Sequence, residues 1–121
     1  MDIIRILEQT EWLFDRIYER IITVLPFTKP DLRIEKLEVG NLGRAFANNY
    51  GNNYIILDTN NCVYAEHNNF KQLIIHELVH VLTVEHHVLV MEDLIELDES
   101  FMEFIIDTFI VPLLMKLCED I

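Results

Sequence analysis

From Asp2 to about Leu25, apolar residues recur at Ile3, Ile6 and Leu7, Trp12 and Leu13, Ile17, Ile21 and Val24. That three-to-four spacing predicts an amphipathic helix with one buried face. Pro26 and Pro30 supply its end, because proline lacks a backbone donor and clashes with the preceding turn. Beyond them the period shortens. The stretch from Leu32 to Val39 partly alternates, as does Arg44 to Tyr50, and Tyr54-Ile55-Ile56-Leu57-Asp58 is an apolar run; all three predict strands. Gly40-Asn41-Leu42-Gly43 and Asn48 to Asn53 carry turn chemistry between them. A small, mainly antiparallel sheet is the expected product.

Thr59-Asn60-Asn61 reads as a polar loop, and Cys62 to His67 has no decisive period. Asn68 or Asn69 can then cap a helix that runs to roughly Val84. A last helical stretch is expected from Met91 to the C-terminus, with Pro112 kinking or splitting it. The fold class that emerges is α+β, one domain over 1–121, without internal repeats.

Composition agrees with that size. The chain has 121 residues, 51% of them hydrophobic, with three Gly and three Pro, enough for one core. Nine Lys and Arg stand against 21 Asp and Glu, a formal charge of −12. No basic face is available for phosphates, so neither nucleic acid nor an anionic membrane surface is expected as a partner. An acidic exterior keeps a small protein soluble and can attract cations or basic peptides, but by itself assigns no partner. Cys62 and Cys118 are the only cysteines and have no metal-knuckle or disulfide-framework spacing, so reduced thiols are expected. Charges among the first residues break up any signal-peptide core, and Glu103, Asp107 and Pro112 interrupt the most apolar stretch. A cytoplasmic protein without a transmembrane segment is the expectation.

The chemistry lies in His76-Glu77-Leu78-Val79-His80, inside the third predicted helix. Residues four apart on a helix share a face, so His76 and His80 can offer imidazole nitrogens to one metal ion. Glu77 beside them can act as general base toward a water, the role this spacing gives it in zinc hydrolases. Catalytic zinc commonly takes a third protein ligand. His86 has the offset of the third histidine in HExxHxxGxxH, but Thr83 replaces the glycine that must turn the chain there. His87 is expected at the cleft rim. Carboxylates of the last helix are the stronger candidates. Glu92 and Glu96 read as solvated acids near its start, whereas Glu99, Glu103 and Asp107 lie among apolar residues. Glu99 with Glu103, or Glu103 with Asp107, would give a ligand and, four residues on, an acid that fixes the tautomer of a ligating histidine. Ser100 after Glu99 lets a helix approach a metal more closely than Phe104 after Glu103. Glu99 is therefore taken as the metal ligand and Glu103 as the supporting acid.

With His76-Glu77-Leu78-Val79-His80, Glu99-Ser100-Phe101-Met102-Glu103 downstream and this element order, the chain resembles the gluzincins, the thermolysin-like zinc peptidases. Within them it is most similar to the minigluzincins, of about this length. The likeness covers nearly the whole chain, although ExxxE departs from the commoner ExxxD. It implies a minimal zincin-like fold: an N-terminal backing helix, a small sheet, an active-site helix and a glutamate helix. It also implies one Zn2+ per chain and hydrolysis of peptides or unfolded proteins, with Glu77 handling the proton. Arg44-Ala45-Phe46-Ala47-Asn48 would be the sheet edge on which substrate extends, and His86, His87, Tyr50 and Tyr54 are candidate oxyanion donors. Members of the group resemble latent zymogens, which makes Cys118–Ile121 a candidate obstruction of the cleft. A non-catalytic zincin-like binding or regulatory domain is the alternative, against which the retention of Glu77 argues.

Overall fold

The computed structural model describes residues 3–47, 52–86 and 103–121. Helix α1 (Ile3–Ile21) buries Leu13, Phe14, Ile17 and Ile21. Trp12 and Val24, which share the sequence periodicity, are instead 57% and 64% exposed. The helical spacing thus locates the buried face but not its width. Pro26 and Phe27 follow the last turn, where Tyr18 donates its hydroxyl to the Phe27 carbonyl.

Three strands form one sheet: β1 (Asp31–Glu35), β2 (Gly43–Phe46) and β3 (Tyr54–Asp58), in the order β1-β3-β2. The expectation of a mainly antiparallel sheet is corrected. Strand β3 pairs antiparallel with β2, Gly43 opposite Leu57, but parallel with β1, Asp31 opposite Tyr54. The physical reason lies in the apolar run of β3. Ile55 and Leu57 are completely buried, and a strand apolar over its whole length is best covered at the sheet centre. The more polar β1 and β2 take the edges.

Asp58 reveals an element that its turn-like neighbours concealed. Its carboxylate accepts from the Asn61 amide at 3.2 Å and from the Leu37 amide at 2.9 Å. Asp58 is therefore an N-cap, and Thr59–Tyr64 forms the short helix α2. Helix α3 (His67–Glu85) follows, with Ile74, Ile75, Leu78, Val79 and Val81 fully buried. It lies between α1 and the sheet, sharing one core with Phe14, Ile17, Ile55 and Leu57.

The final helical stretch is wound more widely over Ile106–Ile110, as a π-helical turn, before α4 (Val111–Leu117). Pro112 explains the change. It has no amide to donate, and its ring would crowd the carbonyl four residues back. The Val111 amide reaches to the Ile106 carbonyl instead, the five-residue bond of a π-turn. Pro112 therefore widens the helix rather than ending it. The tail is tied down on α1 and the start of α3. Arg20 donates to the Leu117 carbonyl and holds Asp120, Lys71 donates to the Cys118 carbonyl, and His67 meets the Ile121 carbonyl. No helix among the described residues is long and apolar enough to cross a membrane.

Gly43 fixes how closely the sheet meets α3. A Cβ there would stand 3.2 Å from Leu73 Cδ1, 3.3 Å from Glu77 Cγ and 3.3 Å from the Ile56 carbonyl oxygen. Neighbours on both elements would have to yield. Gly43→Ala is expected to destabilise the protein by about 1–2 kcal/mol, which thermal unfolding would register as a lower Tm.

Candidate metal centre

The buried face of α3 holds the helix rigidly, and on its opposite face His76 and His80 stand one turn apart. Their rings pack edge to face at 4.8 Å, with the two Nε2 atoms 3.2 Å from each other. The last helical stretch brings Glu103 against both: Oε2 lies 3.2 Å from His76 Nε2 and Oε1 lies 2.9 Å from His80 Nε2. Asp107, one turn further and inside the π-turn, accepts from His76 Nδ1 at 2.6 Å.

The expectation makes Glu103 the supporting acid; here its carboxylate faces the histidine pair itself, and Asp107 meets His76 Nδ1. This is the register Glu103/Asp107, one step along from the preferred one. Phe104 is 55% exposed, so its bulk does not keep Glu103 from the histidine pair. Glu99 lies outside the described residues, as do Glu92, Glu96, His87 and Tyr50.

The donor set fits a divalent cation. Among the described residues, His76, His80 and Glu103 form the one group able to hold a metal, with their ligating atoms within 4.8 Å of one another. Atoms bound tetrahedrally to zinc at about 2.0–2.1 Å stand about 3.3–3.4 Å apart, near the separations just given. A neutral His76 that donates Nδ1–H to Asp107 turns a bare Nε2 toward Glu103 and His80. A carboxylate oxygen and an unprotonated nitrogen then face each other, and a cation between them relieves the repulsion. Burial, only partly offset by Glu103, holds His80 below the usual histidine range, which keeps it in the neutral, ligating form.

Glu77 is 5% exposed. Burial, reinforced by Glu103 and Asp107 and opposed by His76, pushes its carboxyl up to about 7. A group poised near neutrality can both take and return a proton. Beside it opens a cleft of about 430 Å³ lined by His76, Glu77 and Asp107 on one side and by Gly40 to Gly43 on another. Gly40 makes that approach at φ 94°, a left-handed conformation that favours glycine.

Other candidates lie elsewhere. Helix α3 continues through Thr83, whose hydroxyl donates to the His80 carbonyl, as far as Glu85. No turn returns His86 to the histidine pair, and its Nε2 bonds the Pro26 carbonyl. Tyr54 stacks on Phe46 beneath Arg33, on the sheet face opposite Ile55 and Leu57. None of Cys118–Ile121 lines the cleft, so the tail does not stand where an obstruction would. Strand β2 is an edge strand among the described residues, and its first residue borders the cleft. Cys62 and Cys118 are free thiols pushed up by burial, Cys62 to about 11, and are protonated at neutral pH.

Asp107 is the residue that sequence reasoning ranked too low. Its signal was present as the second of two ExxxD/E spacings. Asp107→Ala is expected to weaken zinc binding about 10–100-fold, measured by competition with a chromogenic chelator. Unchanged affinity would show that the bond to His76 Nδ1 does not organise the ligand.

A scan against family models, a search of curated proteins and a search of solved structures each found no match to the chain.

Proposed function

We propose that the protein is a zinc-dependent metallopeptidase that hydrolyses peptide bonds, with His76, His80 and Glu103 holding the ion and Glu77 as general base. The observation that carries this reading is the meeting of Glu103 with both histidine Nε2 atoms beside the buried carboxyl of Glu77. A structural zinc site would close its fourth position with another side chain; among the described residues, His76 and Glu77 border an open cleft. The likeness of HExxH and its following acids to the gluzincins supports the same reaction.

A bound zinc ion supplies Lewis acidity, polarising the scissile carbonyl and making water acidic enough to attack near neutral pH. Glu77 receives the proton of the attacking water and delivers it to the leaving amine, so that one carboxyl serves both half-reactions. Asp107 keeps His76 in the tautomer that presents Nε2. The backbone at Gly43, continuing into β2, borders the cleft where an extended chain would lie.

The test is digestion of an unfolded protein by the purified chain. Cleavage is expected with about one zinc per chain, to stop on chelation and to return on adding zinc. Cleavage that persists after complete removal of metal would refute the proposal.

A further inference from the structure

Charge is segregated along this chain in a way that its net value conceals. Between Arg44 and Lys116 the only Lys or Arg is Lys71. Lys71 is 3% exposed, and its Nζ is bound to the Cys118 carbonyl at 3.0 Å, so it contributes nothing to the cleft. Every Asp, Glu, Lys or Arg between Lys71 and Lys116 is acidic, from Glu77 to Asp107. Five of the other cations have partners elsewhere. Arg16, Arg20 and Lys29 pair with Glu19, Asp120 and Asp15. Arg33 covers Tyr54, and Arg44 approaches Glu38 at 3.9 Å, on the outer face of the sheet.

The cleft repeats this bias at close range. Its described lining contains no Lys or Arg. The acids in that lining are Glu77 and Asp107. Farther along, Asn41, Asn69 and Gln72 place carboxamides around Leu42 and Leu73, and Leu42 is 52% exposed. A lysine or arginine side chain matches that surface: its methylenes can lie on the leucines while its charged end reaches carboxamide oxygens and Asp107. An acidic side chain could use the carboxamide N–H groups but would face the like charge of Glu77 and Asp107.

We infer that the cleft selects cationic peptide segments, with a Lys or Arg side chain seated beside the scissile bond between Leu42, Leu73 and the carboxamides. As a statement about substrates, the inference rests on the peptidase reading. Complementary charge would also draw such segments to the cleft from a distance, an effect that salt suppresses.

The experiment uses the full chain loaded with zinc and fluorogenic peptides that differ only in one residue, Lys, Gln or Glu, scanned across positions flanking the cleavage point. Binding of the same peptides to the Glu77→Gln protein is measured in parallel by fluorescence anisotropy. The Lys peptide is expected to exceed the Glu peptide about tenfold or more in kcat/KM and in affinity, with the gap narrowing as salt rises. Asn69→Lys should reduce that ratio at equal zinc content. Cleavage indifferent to charge would overturn the inference and leave the peptidase reading intact. Selective binding of Lys peptides without cleavage would do the reverse, and neither cleavage nor selective binding would overturn both.

Discussion

Glu103→Ala is expected to lose zinc binding by at least about a thousandfold, whereas Glu99→Ala changes it far less. Glu103 Oε1 and Oε2 each face one histidine Nε2, so removing the carboxylate takes away the one negative charge among the described residues that contacts both rings. Two imidazoles on one helix then remain, a set that binds zinc weakly at neutral pH. The fold should survive, because Glu103 is a half-buried residue at the surface end of the site rather than part of the core. Isothermal titration with zinc, with circular dichroism as the check on folding, distinguishes the two acids. If Glu99→Ala abolished binding and Glu103→Ala did not, the ligand assignment would be reversed.

Glu77→Gln is expected to stabilise the metal-free protein at alkaline pH. The Glu77 carboxyl is raised from 4.5 to about 7 on folding. A raised acid makes its favourable contribution below the unfolded pKa and loses it as pH climbs through the folded one. Stability should therefore fall between about pH 4.5 and pH 8. The shift corresponds to a change on the order of 3 kcal/mol. Glutamine cannot ionise, so its stability curve should lack this fall. His80 acts in the opposite sense. Its lowered pKa contributes above the unfolded histidine value and is lost as pH falls, so the Glu77 effect is cleanest above neutrality. Urea melts in the presence of chelator, from pH 5 to 9, measure both slopes. Parallel curves for wild type and Glu77→Gln would show that the carboxyl is not held in a desolvated site.

How much of this was legible in the sequence follows from which interactions are local. The HExxH pair and Glu77 need only helical periodicity, and α3 carries them as its pattern predicts. Helix α1 stops at Ile21, before the prolines expected to end it, whereas the apolar strand β3 was equally plain. Strand partners were not, because the pairing of β3 with β1 is decided by which strand most needs cover on both sides. The α2 helix was hidden by residues that serve turns and N-caps alike; Asp58 resolves the two only through its bonds to Asn61 and Leu37. Four-residue spacing offered two registers of acids besides His86, but did not show that Phe104 faces outward while Glu103 meets both histidines. That orientation is tertiary.

The most direct test of the central claim compares wild type and Glu77→Gln at equal zinc content on one unfolded protein substrate. The account predicts one zinc per chain in both, with cleavage by the wild type and a loss of about a hundred- to ten-thousandfold in the variant. Equal cleavage by the two proteins would contradict it.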